Sequence, residues 1–445
     1  MRTYPSWRGL KALVHDAVSA TTNLVGEGHD STGRAVERVA SFTRYGEPVR
    51  RVNRLRALAT HGVLATVRGV NRAVEGVSDV ALDYGVGRPV EEDVPVTLRS
   101  DVMGSGAWVA DALIGAVNGV VGDHLHRRGN ALGLGMSLRY GDTVLTPESL
   151  RAMAPPHGPG QGVGQAVGRK IAVWVHGLAT TEWSWCLDAA RFLGDPAATF
   201  GSLLERDHGF VPVYARYNTG RRIPDNGAEL CAQLEMLVAD WPGGVQELVL
   251  VGHSMGGLVV RSAVQIASVQ GGRWLPRLSR VVCLGSPHQG AALERLGVAV
   301  VDALHAVDLP GTRIPAAILR ARSAGIQDLG QGVIADRIPL EGPGARPEGE
   351  SDTLEIPVPS SVAWAFIAGS LTEDPTHPVS QVLGDLLVRV PSAEGPVNST
   401  FPVQTARFGG VRHHELQVHP DVYEQVRRFC AGQWDRPRAQ LGDSG

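Results

Sequence analysis

A chain of 445 residues has room for more than one domain, since single domains typically span about 50–250 residues. Its 42 basic and 45 acidic side chains leave a formal charge of −3, which argues against a nucleic-acid partner that would call for a strongly basic face. Lys11 and Lys170 are the only lysines, and with abundant Ala, Gly and Val this reads as the coding bias of a GC-rich bacterial gene.

No apolar run follows Met1–Arg8, so no secretory signal is expected. Between Val52 and Val80, Val63, Val67, Val70, Val74 and Val77 step by four and three, which predicts a helix with Arg68, Arg72, Glu75 and Asp79 on its other faces. Gly62, Gly69 and Gly76 weaken that helix, and close approach to another helix would compensate. It is expected to pack on the rest of the protein; an interfacial helix at a membrane surface, or a self-associating one, is the alternative.

Gly106–Gly122 predicts a buried helix. It is shorter than the ~20 apolar residues of a bilayer span and carries Asp111 and Asn118 inside, so no transmembrane span is expected. Its Gly115-x-x-x-Gly119 spacing means little outside a membrane. Pro155–Gly164 reads as a linker. Its glycines precede the next strand and miss the G-x-G-x-x-G spacing, so no dinucleotide and no other cofactor is expected.

Beyond the linker, strands are predicted at 171–175, 211–217, 247–251, 280–284, 362–369 and near 403–408, with helices at 226–239, 254–269 and 420–431. This alternation predicts an α/β fold, a mostly parallel sheet with helices on both faces. The expected organisation is a helical N-terminal region and linker (1–165), a catalytic domain (166–432) and a tail (433–445). An insertion over about 286–360 opens with the helical pattern Leu293, Leu296, Val298, Val301, Leu304 and ends in a Pro/Gly-rich stretch. Cys186, Cys231, Cys283 and Cys430 lie in or near apolar segments without a C-x-x-C pair. Reduced, buried thiols and a cytoplasmic location, peripheral to a membrane if the N-terminal helices dock there, are the expectation.

The apolar run Leu248-Val249-Leu250-Val251 ends in Gly252-His253-Ser254-Met255-Gly256, and an apolar helical pattern follows. A strand running into G-x-S-x-G is the signature of a nucleophile elbow, a sharp turn that lifts a serine hydroxyl out of the sheet. Upstream, the strand Ile171–Val175 ends in His176-Gly177-Leu178. Acyl transfer creates an oxyanion that prepositioned N–H groups must meet. Here the donors are expected from Met255, which follows the serine, and from Leu178 in the earlier loop.

With these pieces, and with Leu284-Gly285-Ser286-Pro287-His288-Gln289-Gly290, Gly384-Asp385-Leu386-Leu387-Val388 and His413-His414-Glu415-Leu416, the chain resembles the α/β-hydrolase superfamily. Within it, the sequence is similar to the lipase and esterase branch that includes the GPI inositol-deacylase-like proteins. The likeness covers roughly residues 168–432 and implies the order serine, acid, histidine, with a cap in the insertion shaping the acyl pocket.

A serine needs a base, and the base an orienting carboxylate. In similar proteins the histidine stands three residues before a Leu and seven before Pro-x-Val, which points to His413; adjacent His414 remains the competitor, and His419 reads as a capping residue. Asp385 is the expected acid by its place after strand 362–369, although Leu386 replaces the second glycine of the family's Gly-Asp-Gly-x-Val; Asp352, Glu373, Asp374 and Glu394 compete. His414 and His419 stand five apart, one too many for two zinc ligands on a helix face, so no metal is expected.

The resemblance therefore implies a serine hydrolase acting on a small-molecule or lipid carboxylic ester. Ser254, His413 and Asp385 would be its triad, with Gly252, His253, Gly256, His176 and Gly177 in support. An amidase or acyltransferase would use the same groups. A catalytically silent binding module of the same fold is the alternative from another class.

Overall fold

The computed structural model describes residues 106–141, 143–153, 169–290, 323–334, 360–370, 372–373, 385, 388, 390–393 and 403–433. The helix expected between Val52 and Val80, the linker, most of the insertion and the tail beyond 433 lie outside the described residues.

Among the described residues one sheet runs in the order β2-β1-β4-β3-β5-β6-β7-β8. Its strands are β1 (Ser137–Tyr140), β2 (Thr143–Val144), β3 (Arg169–Val175), β4 (Phe210–Arg216), β5 (Val245–His253), β6 (Leu278–Leu284), β7 (Ala363–Ser370) and β8 (Val403–Gly409). From β4 to β8 every neighbouring pair is parallel, whereas β1 pairs antiparallel with both β2 and β4. Strands buried on both faces need apolar residues at every position, which is why these runs do not alternate in polarity.

The α-helices among the described residues are α1 (Gly106–Arg127), α2 (Pro147–Ala152), α3 (Ala189–Leu193), α4 (Phe200–His208), α5 (Ile223–Asp240), α6 (Met255–Gln270), α7 (Ala324–Gln331), α8 (Val390–Ala393) and α9 (Pro420–Cys430). Side chains of successive strand residues go to opposite faces. Thus Ile171, Val173, Leu248 and Leu250 meet α5 and α6 in one core layer. Ala172, Trp174, Val249 and Val251 meet α4 and α9 in the other.

The chain divides into two units, Met1–Asp93 with Leu125–Gly133, and Val94–His124 with Leu134–Gly445. Of the first unit the described part is a turn in which Asn130 N–H donates to Leu125 O and Leu132 N–H to Asn130 Oδ1, each at 2.9 Å. The second unit holds the sheet, and it corrects the expected start of the catalytic domain at 166. β1 and β2 precede that boundary, and β1 is bonded to β4 through Ser137–Arg216, Leu138–Ala215 and Arg139–Tyr214. Strands of four and two residues offer too short a run for a periodic signal, so their pairing became visible only in the fold.

The helix expected at 106–122 is α1, with Ala112, Ala116 and Val120 buried. Within the insertion, α7 is tied down at several points. Ser323 caps it by accepting from Ile326 N–H, Gly325 N–H donates to Gly220 O at 3.0 Å, and Asp328 accepts from Ile223 N–H at 2.9 Å. That places α7 at the carboxyl end of β4, the end from which the chemistry-bearing loops leave the sheet.

Candidate active site

Ser254 stands between β5 and α6 with φ 54° and ψ −123°, a region that side-chain-bearing residues rarely occupy. Its N–H donates to Leu284 O at 2.8 Å and its carbonyl accepts from Gly257 N–H at 3.1 Å, so the strained turn is fixed from both sides. The glycines around it leave no alternative. A β-carbon on Gly252 would lie 2.5 Å from the Gly257 backbone, and one on Gly256 would lie 2.2 Å from Val175 O. Met255 begins α6, and the first amides of a helix have no carbonyl partner within it.

The loop leaving β3 passes beside this turn. A β-carbon on Gly177 would lie 3.1 Å from Ser254 Cβ and 3.2 Å from His253 Nδ1. Leu178 is buried next to Ala179, which adopts φ 60° and donates its N–H to Thr219 Oγ1 at 3.1 Å. His176 turns inward, donating from Nδ1 to Gly177 O at 2.9 Å and stacking on Tyr217 with ring centres 4.4 Å apart.

Burial drives the His176 imidazole down to about 4, so it is neutral at pH 7. Between its ordinary value of 6.5 and 4 the unfolded chain binds a proton here and the folded protein does not. Stability is therefore present above pH 6.5 and lost as pH falls, by about 3 kcal/mol in all and about 2 kcal/mol between pH 7 and 5. His176→Asn retains a donor for Gly177 O but cannot titrate. Its melting temperature should fall less than that of the wild type from pH 7 to 5; equal falls would rule His176 out as a source of acid lability.

Asp385 and His413 meet beyond the ends of β7 and β8. His413 Nδ1–H donates to Asp385 Oδ2 at 2.7 Å, and His413 N–H to Asp385 O at 3.3 Å. The other carboxylate oxygen accepts from Val388 N–H at 2.9 Å, while Asp385 N–H donates to Val388 O at 3.2 Å. The turn thus closes on itself between Asp385 and Val388. Because Nδ1 carries the proton, the lone pair of His413 is on Nε2, as a general base requires.

His253, the residue before Ser254, donates from Nε2 to His413 O at 3.0 Å, its ring 4.8 Å from that of His413. Burial, and then the neighbouring His413, push its imidazole well below the ordinary range. A β-carbon on Gly285 would lie 3.2 Å from His413 Nδ1, so the exit of β6 closes the remaining side.

His414 faces away. Its Nε2 lies 3.4 Å from Asp188, with both side chains more than two-fifths exposed. His419 caps α9, accepting from Asp421 N–H. Of the competing carboxylates, Glu373 is exposed, and Asp352, Asp374 and Glu394 lie outside the described residues. Among the described residues no group of His, Cys, Asp or Glu is arranged to hold a metal ion, and no helix is long and apolar enough to cross a membrane.

Two arrangements were not anticipated, although the first starts from the Leu284–Gly290 motif. His288 accepts at Nδ1 from Arg261 Nη1 at 2.9 Å, and the N–H groups of His288 and Gln289 donate to Ser392 O and Oγ at 3.0 and 3.1 Å. The loop after β6 thereby braces the segment that follows Asp385. Beside the β3 loop, buried Arg216 binds both oxygens of Glu182 at 2.7 Å and also Asp111. Burial pushes Asp111 upward; in Glu182 burial is the largest single effect, but the Arg216 charge, the Arg216 hydrogen bond and the Arg139 charge together hold the carboxyl below its ordinary value. The available signal was a polar run, Arg216–Thr219, directly behind an apolar strand.

A family profile described as a PGAP1-like alpha/beta domain matches residues 228–307, from α5 past β6. No curated protein sequence matches the chain. Among solved structures, the mature lipase of Bacillus licheniformis is 16% identical at a TM-score of 0.38, with 60% of this chain and 94% of that one covered. An esterase of Pyrococcus furiosus is 13% identical at 0.34, covering 60% and 82%. A thermostable carboxyl esterase of Bacillus coagulans is 16% identical at 0.33, covering 60% and 90%. The fold itself rests on strand order and on the loops that carry the site. A serine turn follows β5, a glycine loop follows β3, and an acid and a histidine follow β7 and β8. By this architecture and the profile match, the chain is an α/β-hydrolase-fold protein similar, over its central segment, to the PGAP1-like proteins.

Proposed function

We propose that this protein hydrolyses carboxylic esters, of a small molecule or a lipid, through an acyl-enzyme on Ser254. The observation that carries the reading is the 2.7 Å bond from His413 Nδ1–H to Asp385, on a histidine whose carbonyl is held by the neighbour of Ser254. Ser254 Oγ attacks the ester carbonyl while His413 Nε2 takes its proton. The proton then passes to the departing alcohol, and water, deprotonated by the same nitrogen, releases the acid. Leu178 and Met255 N–H groups hold the oxyanion.

Asp385, buried and hydrogen-bonded to Val388 through both its carboxylate and its N–H, orients the imidazole. Cys231, Cys283 and Cys430 are free and buried, which supports a reducing compartment such as the cytoplasm.

A fluorophosphonate probe tests the reading, because it reacts only with an activated serine. Wild-type protein should be labelled at Ser254 and should cleave p-nitrophenyl esters, with the acyl-length preference reporting the pocket. Absence of both labelling and turnover would leave a silent module of this fold; preferred transfer to an added alcohol would make it an acyltransferase.

A further inference from the structure

The loop that follows β3 is held at every third residue. His176 O accepts from Tyr217 OH at 2.8 Å, Ala179 N–H donates to Thr219 Oγ1 at 3.1 Å, and Glu182 binds Arg216 at 2.7 Å. All three partners come from residues 216–219, where the chain leaves β4, and all are buried. Leu178 lies between the first two of these anchors.

The same loop is seated on α1 with almost nothing between. A β-carbon on Gly119 would lie 2.6 Å from Ala179 Cβ, and one on Gly115 would lie 3.0 Å from the Thr180 carbonyl carbon. Asp111 accepts from Thr181 Oγ1 at 2.8 Å and from Arg216 Nη2 at 2.9 Å, and Ser323 Oγ donates to Gly119 O at 2.7 Å.

We infer that Thr219 is a positioning residue for the oxyanion hole and that α1, through Gly119, seats the same loop. The inference rests on the ester-hydrolase reading above. The Leu178 amide can meet an oxyanion only if the peptides on either side of it keep their orientation. Ala179 at φ 60° is in a conformation an L residue leaves readily. The Thr219 hydroxyl is the acceptor that satisfies its N–H there, and α1 blocks the space into which the loop would relax.

Thr219→Val keeps the side chain's shape and removes the acceptor. Loss of an oxyanion donor costs about 10²–10³ in kcat, so a donor displaced but not deleted should cost about 10–100-fold. KM should change little, the melting temperature should fall modestly because the buried Ala179 N–H loses its acceptor, and Thr219→Ser should restore both kcat and the melting temperature. Inhibition by an alkyl trifluoromethyl ketone, whose adduct carries an oxyanion, should weaken in parallel with kcat.

Should Thr219→Val fail to fold, Gly119→Ala tests the same loop from α1, with the same expected fall in kcat at unchanged KM. Unchanged kcat in the folded variant, or a Ser variant as slow as the Val variant, overturns the inference. A wild-type protein that takes no fluorophosphonate defeats instead the ester-hydrolase reading and the inference with it. A wild type labelled no faster than Thr219→Val defeats the inference alone.

Discussion

Ser254→Ala is expected to abolish ester hydrolysis and leave the fold standing. Removing the nucleophile of a serine protease costs on the order of 10⁶ in kcat, or about 8 kcal/mol of barrier. Stability should not follow. The turn is held by backbone bonds from Ser254 to Leu284 and Gly257, which alanine also makes. Alanine bears a β-carbon as serine does, so the strain at φ 54° stays as it was. Steady-state turnover of a p-nitrophenyl ester, with thermal melting alongside, checks both halves. A variant keeping a tenth of wild-type turnover would remove Ser254 from the mechanism, whatever its geometry.

The sheet from β3 onward was legible because buried parallel strands are apolar at every position and α5, α6 and α9 carry helical stripes. The edge was not. β1 and β2 total a handful of residues, and what fixes them is the pairing of β1 to β4, and of β2 to β1, contacts that no local pattern encodes. That is why the region before residue 166 read as separate when part of it completes the sheet.

α1 shows the same limit differently. Asp111 and Asn118 argued against a bilayer span, but their partners were out of sight. Asp111 pairs with Arg216, 105 residues on, and Asn118 Oδ1 accepts from Leu134 N–H at 2.9 Å. The Gly115–Gly119 spacing, discounted outside a membrane, marks a close backbone approach after all, to the loop 179–181.

At the site, the elbow and the glycine loop are short motifs whose chemistry depends on local geometry, so they can be read from sequence. Thr219 and Tyr217 act through single hydroxyls across 40 or so residues and belong to no motif. The choice between His413 and His414 rested on counting from Leu416, and a count cannot say which imidazole faces inward.

His413→Ala should be nearly as damaging as loss of the serine, since either member alone removes most of a serine protease's rate, on the order of 10⁶. His414→Ala should leave kcat/KM within about twofold. What it removes is an exposed contact to Asp188, of a kind worth about 0–1 kcal/mol. The contrast is sharp because neighbouring residues diverge here: His413 ends the chain's approach from β8 and His414 begins a short 3₁₀ turn.

Both variants are to be compared on one ester and by their rates of fluorophosphonate labelling. A greater loss at His414 would move the base by one residue. It would also dislodge Asp385 as the acid, because the Asp385 carboxylate is bonded to His413 and to Val388 N–H. Asp385→Asn then separates the remaining cases. If Asp385 orients His413, the amide should favour the wrong tautomer and cost about 10⁴ in kcat. Were it only a brace for the turn, the loss would appear in melting temperature with kcat nearly intact.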